Sequence, residues 1–199
     1  MIRILCAGLC SVLWRKFPGK QSAFCGCSAL TDVKLPEGVL SVEGWAFRDC
    51  VSLKSVLLPS TVASVKKGAF WGCSSMEEFV LPAAVNMLDQ GVLANCTSLR
   101  NVLLHDGVLS IGYGAFYNCC AIEEITLPHA VVNVGDQAFR SCKVLKRLCV
   151  LCDAAPMCSG DIADVDVYSR TLLLVPQGKV GEYGFAPVWE RFGNVEELV

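Results

Sequence analysis

"AFYNCCAIEEITLP" runs from Ala115 to Pro128. Two adjacent cysteines between an aromatic residue and a pair of carboxylates could be metal ligands, a redox pair, a nucleophile or core. Recurrence of the stretch decides among them. Ala23-Phe24, Ala46-Phe47, Ala69-Phe70, Val92-Leu93, Ala115-Phe116 and Ala138-Phe139 are spaced 23 residues apart. Cys27, Cys50, Cys73, Cys96, Cys119 and Cys142 keep the same step. So do Leu30, Leu53, Met76, Leu99, Ile122 and Leu145, then Val33, Val56, Phe79, Val102, Ile125 and Leu148, then Leu35, Leu58, Leu81, Leu104, Leu127 and Val150. Five copies continue with Val39, Val62, Val85, Val108 and Val131, and with Val42, Val65, Leu88, Ile111 and Val134. No insertion interrupts the register, and a fixed period of this length is the signature of a stacked-repeat architecture.

The local periods within one copy differ. Val33 and Leu35 are two apart, the spacing of a strand with one face buried. Phe70, Cys73 and Met76 are three apart, which suits a helical turn or a turn of 3₁₀ helix. The residue before each ladder cysteine is Gly26, Asp49, Gly72, Asn95, Asn118 or Ser141. Five of these are types that tolerate a left-handed backbone or close a turn, so a sharp turn is expected to deliver each cysteine inward. Pro36, Pro59, Pro82 and Pro128 stop the strand, and His105 takes that place once. A single copy cannot bury its apolar positions. Stacking brings the same position of the next coil to about 4.7–4.9 Å, giving a parallel sheet and columns of equivalent side chains.

Composition agrees with a long interior. The chain has 199 residues, 53% of them hydrophobic, with a mean hydropathy of +0.48. No apolar run reaches the ~18 residues of a membrane-spanning helix. A formal net charge of −2 argues against a general nucleic-acid-binding surface. Thirteen cysteines would suggest a disulfide framework in a short secreted chain, but the number is odd and six of them follow the repeat. At the N-terminus, Ile4 to Trp14 is mostly apolar. Only Arg3 precedes it, Arg15 and Lys16 follow, and no small-x-small site appears. Residues 1–22 therefore read as a degenerate first coil or cap rather than a cleaved signal.

The pattern L-x-x-V-x-L-P, then V-x-x-I and A-F-x-x-C, resembles the 23-residue BspA-like leucine-rich repeats. Leu30 to Cys50 and Ile122 to Cys142 carry the match most closely, and it covers about residues 22 to 151. The C-terminal stretch resembles the closing segment of such arrays, through Val175, Pro176, Gly178, Tyr183, Trp189 and Phe192. Coil four departs from the pattern at Val92-Leu93 and His105. The resemblance implies an α/β solenoid: a leucine-rich-repeat array with a parallel sheet on its concave face, short helical turns and second extended segments elsewhere in each coil, and a C-terminal cap. The expected divisions are 1–22, a six-coil array over 23–151, and a closing strand and helical cap over 152–199. It also implies a protein on or outside cells that adheres to or binds other proteins. The family has no shared catalytic residue to carry over.

The chemical candidates mostly dissolve into this frame. Cysteine is among the most buried residue types, and its weak S–H can contact loop backbone, so the six ladder thiols read as core. Stacked side chains that run parallel rarely offer a disulfide dihedral. Cys149, Cys152 and Cys158 form a C-x-x-C plus a third thiol. Zinc wants four ligands and neither His105 nor His129 is near, so free thiols are expected, with a disulfide or a metal site as alternatives. Cys6, Cys10 and Cys25 have no assignment. The two histidines read as loop residues without a triad. Glu77-Glu78 and Glu123-Glu124 are paired in sequence only, which does not make a glycosidase pair. No cofactor is expected.

Function then falls to the outward strand positions. One column reads Lys34, Leu57, Val80, Leu103, Thr126, Cys149, and the one before it Asp32, Ser55, Glu78, Asn101, Glu124, Arg147. Leu57, Val80 and Leu103 would form an apolar stripe beside Glu78, Asn101 and Glu124, a partner site. Strand propensity alone could also place Leu and Val there. A second candidate is the ridge Arg48, Trp71, Tyr117 and Arg140, which Ala94 interrupts. The preferred function is a non-enzymatic module that binds a protein ligand. An intracellular scaffold in a reducing compartment is the alternative, and an enzyme using Cys149–Cys158 the remote one.

Overall fold

The structure is a computed structural model that describes residues 21–198. The expected N-terminal capping coil falls almost wholly outside the described residues. Each repeat supplies a short strand to one sheet: β1 (Asp32–Lys34), β3 (Ser55–Leu57), β5 (Glu78–Val80), β7 (Asn101–Leu103), β9 (Glu124–Leu127) and β11 (Arg147–Val150). A two-residue strand follows in each: β2 (Ser41–Val42), β4 (Ser64–Val65), β6 (Met87–Leu88), β8 (Ser110–Ile111), β10 (Asn133–Val134) and β12 (Met157–Cys158). All pairings are parallel, and Val33 opposes Val56, Phe79 opposes Val102 and Ile125 opposes Leu148. The 23-residue period of the sequence is thus the rise of one coil.

The third side of each coil is a run of turns. The expected helical turns are present only as consecutive i→i+3 bonds, such as Cys50 N to Phe47 O at 3.2 Å and Leu53 N to Cys50 O at 3.0 Å. A continuous helix cannot form because the backbone turns left-handed before every ladder cysteine. The φ angles are +73° at Gly26, +56° at Asp49, +73° at Gly72, +61° at Asn95, +57° at Asn118 and +62° at Ser141. Ser141, the least suited of these residues, donates its amide to Asp164 Oδ2 at 2.8 Å. A second left-handed residue precedes each Ala-Phe pair. Its occupants run from Ser22 through Trp45, Gly68, Gly91 and Gly114 to Gln137. At Gly68 a Cβ would lie 2.1 Å from the Trp45 ring, so where that ring lies only glycine fits.

Columns fill the interior. Phe24 and Phe47 stack at 5.1 Å, Phe47 and Phe70 at 5.3 Å, and Phe116 and Phe139 at 5.7 Å. Leu93 breaks this column in coil four, and Phe79 reaches Phe70 from the strand side at 5.5 Å. The turn side is bonded without a gap: Phe24 N to Ala46 O, Phe47 N to Ala69 O, Phe70 N to Val92 O, Leu93 N to Ala115 O and Phe116 N to Ala138 O lie at 2.8–3.1 Å. The long sheet is not continuous. Its pairing is interrupted between β3 and β5 and again between β7 and β9, leaving β5–β7 as an isolated ribbon. The continuous turn side holds the coils together across both interruptions.

The array closes with a less regular turn. After β12 come α1 (Val165–Arg170), β13 (Leu172–Val175), α2 (Val180–Phe185), a 3₁₀ turn over Trp189–Arg191 and β14 (Asn194–Glu197). β13 pairs with β11, and β14 pairs with β13, so this segment adds two strands to the sheet as well as helices. Tyr183 and Trp189 are buried and anchored on main-chain carbonyls, Tyr183 Oη to Cys152 O at 2.9 Å and Trp189 Nε1 to Pro156 O at 2.7 Å. Aromatic side chains with one polar tip suit an end that must bury a core and still satisfy backbone.

Leu81 is 5% exposed, in the column that follows the strand. Leu81→Ala is expected to lower the unfolding free energy by about 2–5 kcal/mol, read from urea denaturation. A loss under about 0.5 kcal/mol, the usual effect at a surface position, would refute its burial.

Candidate functional site

The thiols have a structural occupation. Cys50 Sγ donates to Phe24 O at 3.1 Å, Cys73 to Phe47 O at 3.1 Å, Cys96 to Phe70 O at 3.3 Å, Cys119 to Leu93 O at 3.2 Å and Cys142 to Phe116 O at 3.2 Å. Each such carbonyl already accepts an amide within its own coil, as Phe47 O does from Cys50 N. The thiol takes its second lone pair and ties one coil to the next. Burial pushes the Cys96 and Cys142 thiols up to about 12 and raises Cys50, Cys73 and Cys119 as well. A thiol held protonated is a poor nucleophile and a poor metal ligand.

Cys149, Cys152 and Cys158 do not converge. Cys158 opposes Val134 across the second sheet, while Cys152 Sγ donates to Pro128 O at 3.2 Å. Cys149 has the outward phase of the strand, opposite Thr126 and Leu174, yet is only 7% exposed. Its Sγ lies 3.8 Å from Glu124 Oε1. Among the described residues no group of His, Cys, Asp and Glu could hold a metal ion. Cys119 is fully buried, whereas Cys120 is half-buried and contacts Asn118 Oδ1 at 3.0 Å.

The histidines serve the backbone or the surface. His105 stands where other coils have proline. Its Nδ1 accepts from Gly107 N at 3.1 Å, so Nε2 carries the hydrogen and donates to Val85 O at 2.9 Å. His129 Nδ1 pairs with Asp106 Oδ1 at 3.1 Å on an exposed loop.

The outward strand face is where side chains remain available. Leu57 is 59% exposed, Val80 54% and Leu103 62%. Glu78, Asn101 and Glu124 are exposed beside them. Glu124 is engaged by Arg147, whose Nε lies 2.7 Å from Oε2. Between β7 and β9, where strand pairing lapses, an open depression of about 390 Å³ is lined by residues that include Arg100, Leu103, Glu123, Ile125, Thr126 and Arg147. A further column, one residue before the strand, reads Lys54, Glu77, Arg100, Glu123 and Lys146, alternating in sign from coil to coil. All five are exposed. Lys146 Nζ binds Glu123 Oε2 at 2.7 Å and holds its carboxyl below the usual range, first by that hydrogen bond and then by its charge. In the sequence alone Glu77 and Glu123 read only as halves of carboxylate pairs. The 23-residue spacing was the signal that places them in one column.

The second ridge is partly consumed by the fold. Trp71 lies 5.8 Å edge-on to Trp45, and the Arg48 guanidinium sits 5.2 Å from the Trp45 ring. Arg140 pairs with Asp164 at 3.3 Å. Tyr117 is half-buried, and Ala94 is fully buried between the two halves of the ridge.

Comparison with known proteins finds leucine-rich repeats in the same stretch of the chain. The family model for the BspA-type leucine-rich repeat region matches six copies over residues 20–146. The chain belongs to this family. A solved leucine-rich repeat protein of T. pallidum is 28% identical with a TM-score of 0.63, aligned over 88% of this chain and 77% of its own. One from Bacteroides ovatus is 19% identical with a TM-score of 0.53, over 90% of this chain and 63% of its own. One from Eubacterium ventriosum is 20% identical with a TM-score of 0.56, over 67% and 34%. The last two show the shared fold alone. None of the curated proteins matches this chain.

Two outcomes follow for the thiols of this BspA-type array. A maleimide reagent should modify Cys25, which is exposed, and Cys120 well before Cys119, read by peptide mass spectrometry. Equal rates at Cys119 and Cys120 would contradict the buried ladder. Unfolded thiols ionise near their ordinary value of 9.0, while Cys96 and Cys142 stay protonated to about 12. Above about pH 9 the unfolded chain therefore sheds protons that the folded chain keeps, and stability should fall as pH rises through that window. Urea midpoints across the alkaline range check this, and an unchanged midpoint would count against the ladder.

Proposed function

We propose that this protein is a non-enzymatic binding module whose working surface is the outward face of the long sheet. The observation that carries it is the stripe Leu57, Val80 and Leu103, each more than half exposed, beside charged neighbours and an open depression. Isolated exposed apolar residues are ordinary, but three in register on adjacent strands form a patch, and apolar patches with a polar rim suit protein partners. The ladder thiols from Cys50 to Cys142 and His105, which would be chemical candidates elsewhere, are bound to backbone carbonyls. Membership of the BspA-type family supports a place on or outside the cell and a role in adhesion. No helix among the described residues is long and apolar enough to cross a membrane.

A second reading has its own support. The described cysteines after Cys27 are all free thiols. That is common where thiols are kept reduced, so an intracellular scaffold using the same face is the alternative.

The face can be tested directly. Leu57→Asp combined with Leu103→Asp is expected to leave thermal unfolding unchanged and to abolish capture of the native ligand from a panel of extracellular-matrix and plasma proteins. Undiminished binding by the double variant would place the site elsewhere. A large drop in unfolding temperature would mean that these positions are core.

A further inference from the structure

The charge column and the broken sheet share a symmetry. Lys54, Glu77, Arg100, Glu123 and Lys146 alternate in sign, coil by coil. Both Glu77 and Arg100 are exposed, and among the described residues neither makes a direct ion pair, although the charge of Arg100 helps to lower the Glu123 carboxyl. The two interruptions of the long sheet lie on either side of the β5–β7 ribbon, one between β3 and β5, the other between β7 and β9. A line drawn along the strands midway between β5 and β7 therefore has one strand of the ribbon and then one gap on each side.

We propose that the partner of this face is a second copy of the same chain, related by a two-fold axis along that line. Such an axis keeps every column facing itself and reverses the order of the coils. Coil three then meets coil four, coil two meets coil five and coil one meets coil six. Glu77 of each copy faces Arg100 of the other, so the two unpaired charges at the centre satisfy each other twice. Lys54 faces Glu123, and Asp32 faces Arg147. No like charges meet in these columns. Had the signs not alternated, or had the axis passed through a strand, each central charge would have met its own kind. A two-fold interface must be self-complementary, and the sign pattern meets that requirement.

The apolar residues fit the same axis. Val80 opposes Leu103 next to the centre. Leu57 opposes Thr126, at the edge of the depression lined by Leu103 and Ile125. A protruding leucine on one copy thus meets a hollow on the other, twice per dimer. The face is six coils long but only about three residues wide, smaller than a standard stable interface, so the dimer should form and dissociate with concentration. Its charge pairs are exposed, so added salt should weaken it.

This inference rests on the sheet face being the working surface, and mixing two variants tests it separately. By sedimentation velocity, wild-type protein should pass from monomer to dimer as concentration rises. Glu77→Arg alone and Arg100→Glu alone each place like charges at the centre twice, and each should weaken dimerisation by about tenfold. An equimolar mixture of the two variants restores both opposite-charge contacts between unlike copies and should recover the wild-type dimer. Because the pairs are intermolecular, rescue by mixing cannot come from contacts within one chain. Wild-type protein that stays monomeric at every concentration, or a mixture that fails to recover the dimer, overturns the proposal. Neither result touches the binding of another protein at Leu57 and Leu103, which the aspartate variants report.

Discussion

The carbonyl of the repeated aromatic position is the point on which the coils depend. It accepts an amide three residues on, closing the turn, and a thiol from the next coil, fixing the stack. Phe47 O does both, with Cys50 N at 3.2 Å and Cys73 Sγ at 3.1 Å. A buried carbonyl has two lone pairs and no water to fill them, so a small donor that also packs as a hydrophobe is needed there. Serine would donate more strongly but bring a more polar atom into the core. Cysteine is small enough to stand beside the phenylalanine stack and apolar enough to be buried. A left-handed residue immediately before each cysteine aims it inward, which is why glycine, asparagine, aspartate and serine recur at that place.

A solenoid built this way puts its ladder thiols out of reach. The five described thiols with this bond are fully buried, and burial raises their pKa. The cysteines that look most like a site in sequence, Cys149, Cys152 and Cys158, are separated onto different sides of the coil. What remains accessible is geometry: a grid of outward positions with the strand spacing along one axis and alternate residues along the other. On that grid Leu57, Val80 and Leu103 supply apolar area, and Lys54, Glu77, Arg100 and Glu123 supply sign. Repetition makes neighbouring coils similar, so any function must be written in the positions where they differ.

Most of the fold was legible because the period is unbroken. Identity of spacing says which side chain stacks on which, and Phe24, Phe47 and Phe70 indeed lie ring on ring. The left-handed turn at Asn118 and the inward aim of Cys119 were legible from residue type. The turn before Ala-Phe was harder to see, since Trp45 and Gln137 are not residues that announce a left-handed backbone. β14 was hidden for a different reason. It lies after the helices, outside the repeat, and its partner β13 is adjacent only in space.

The sequence by itself determined the coil, its columns, the cysteine ladder and the outward phase of Leu57, Val80 and Leu103. Each of these follows from a periodic constraint acting within one or two neighbouring coils. Only the tertiary structure decided where the long sheet opens, that Cys149 is covered despite its outward phase, and which charges of the alternating column find partners. Those outcomes depend on how closely adjacent strands approach and on which side chains meet across them. Val56 and Val102, inward residues beside the two interruptions, occupy the same column as buried Val33 and Ile125, yet are partly exposed. Period assigned all four to one place in the coil, and packing separated them.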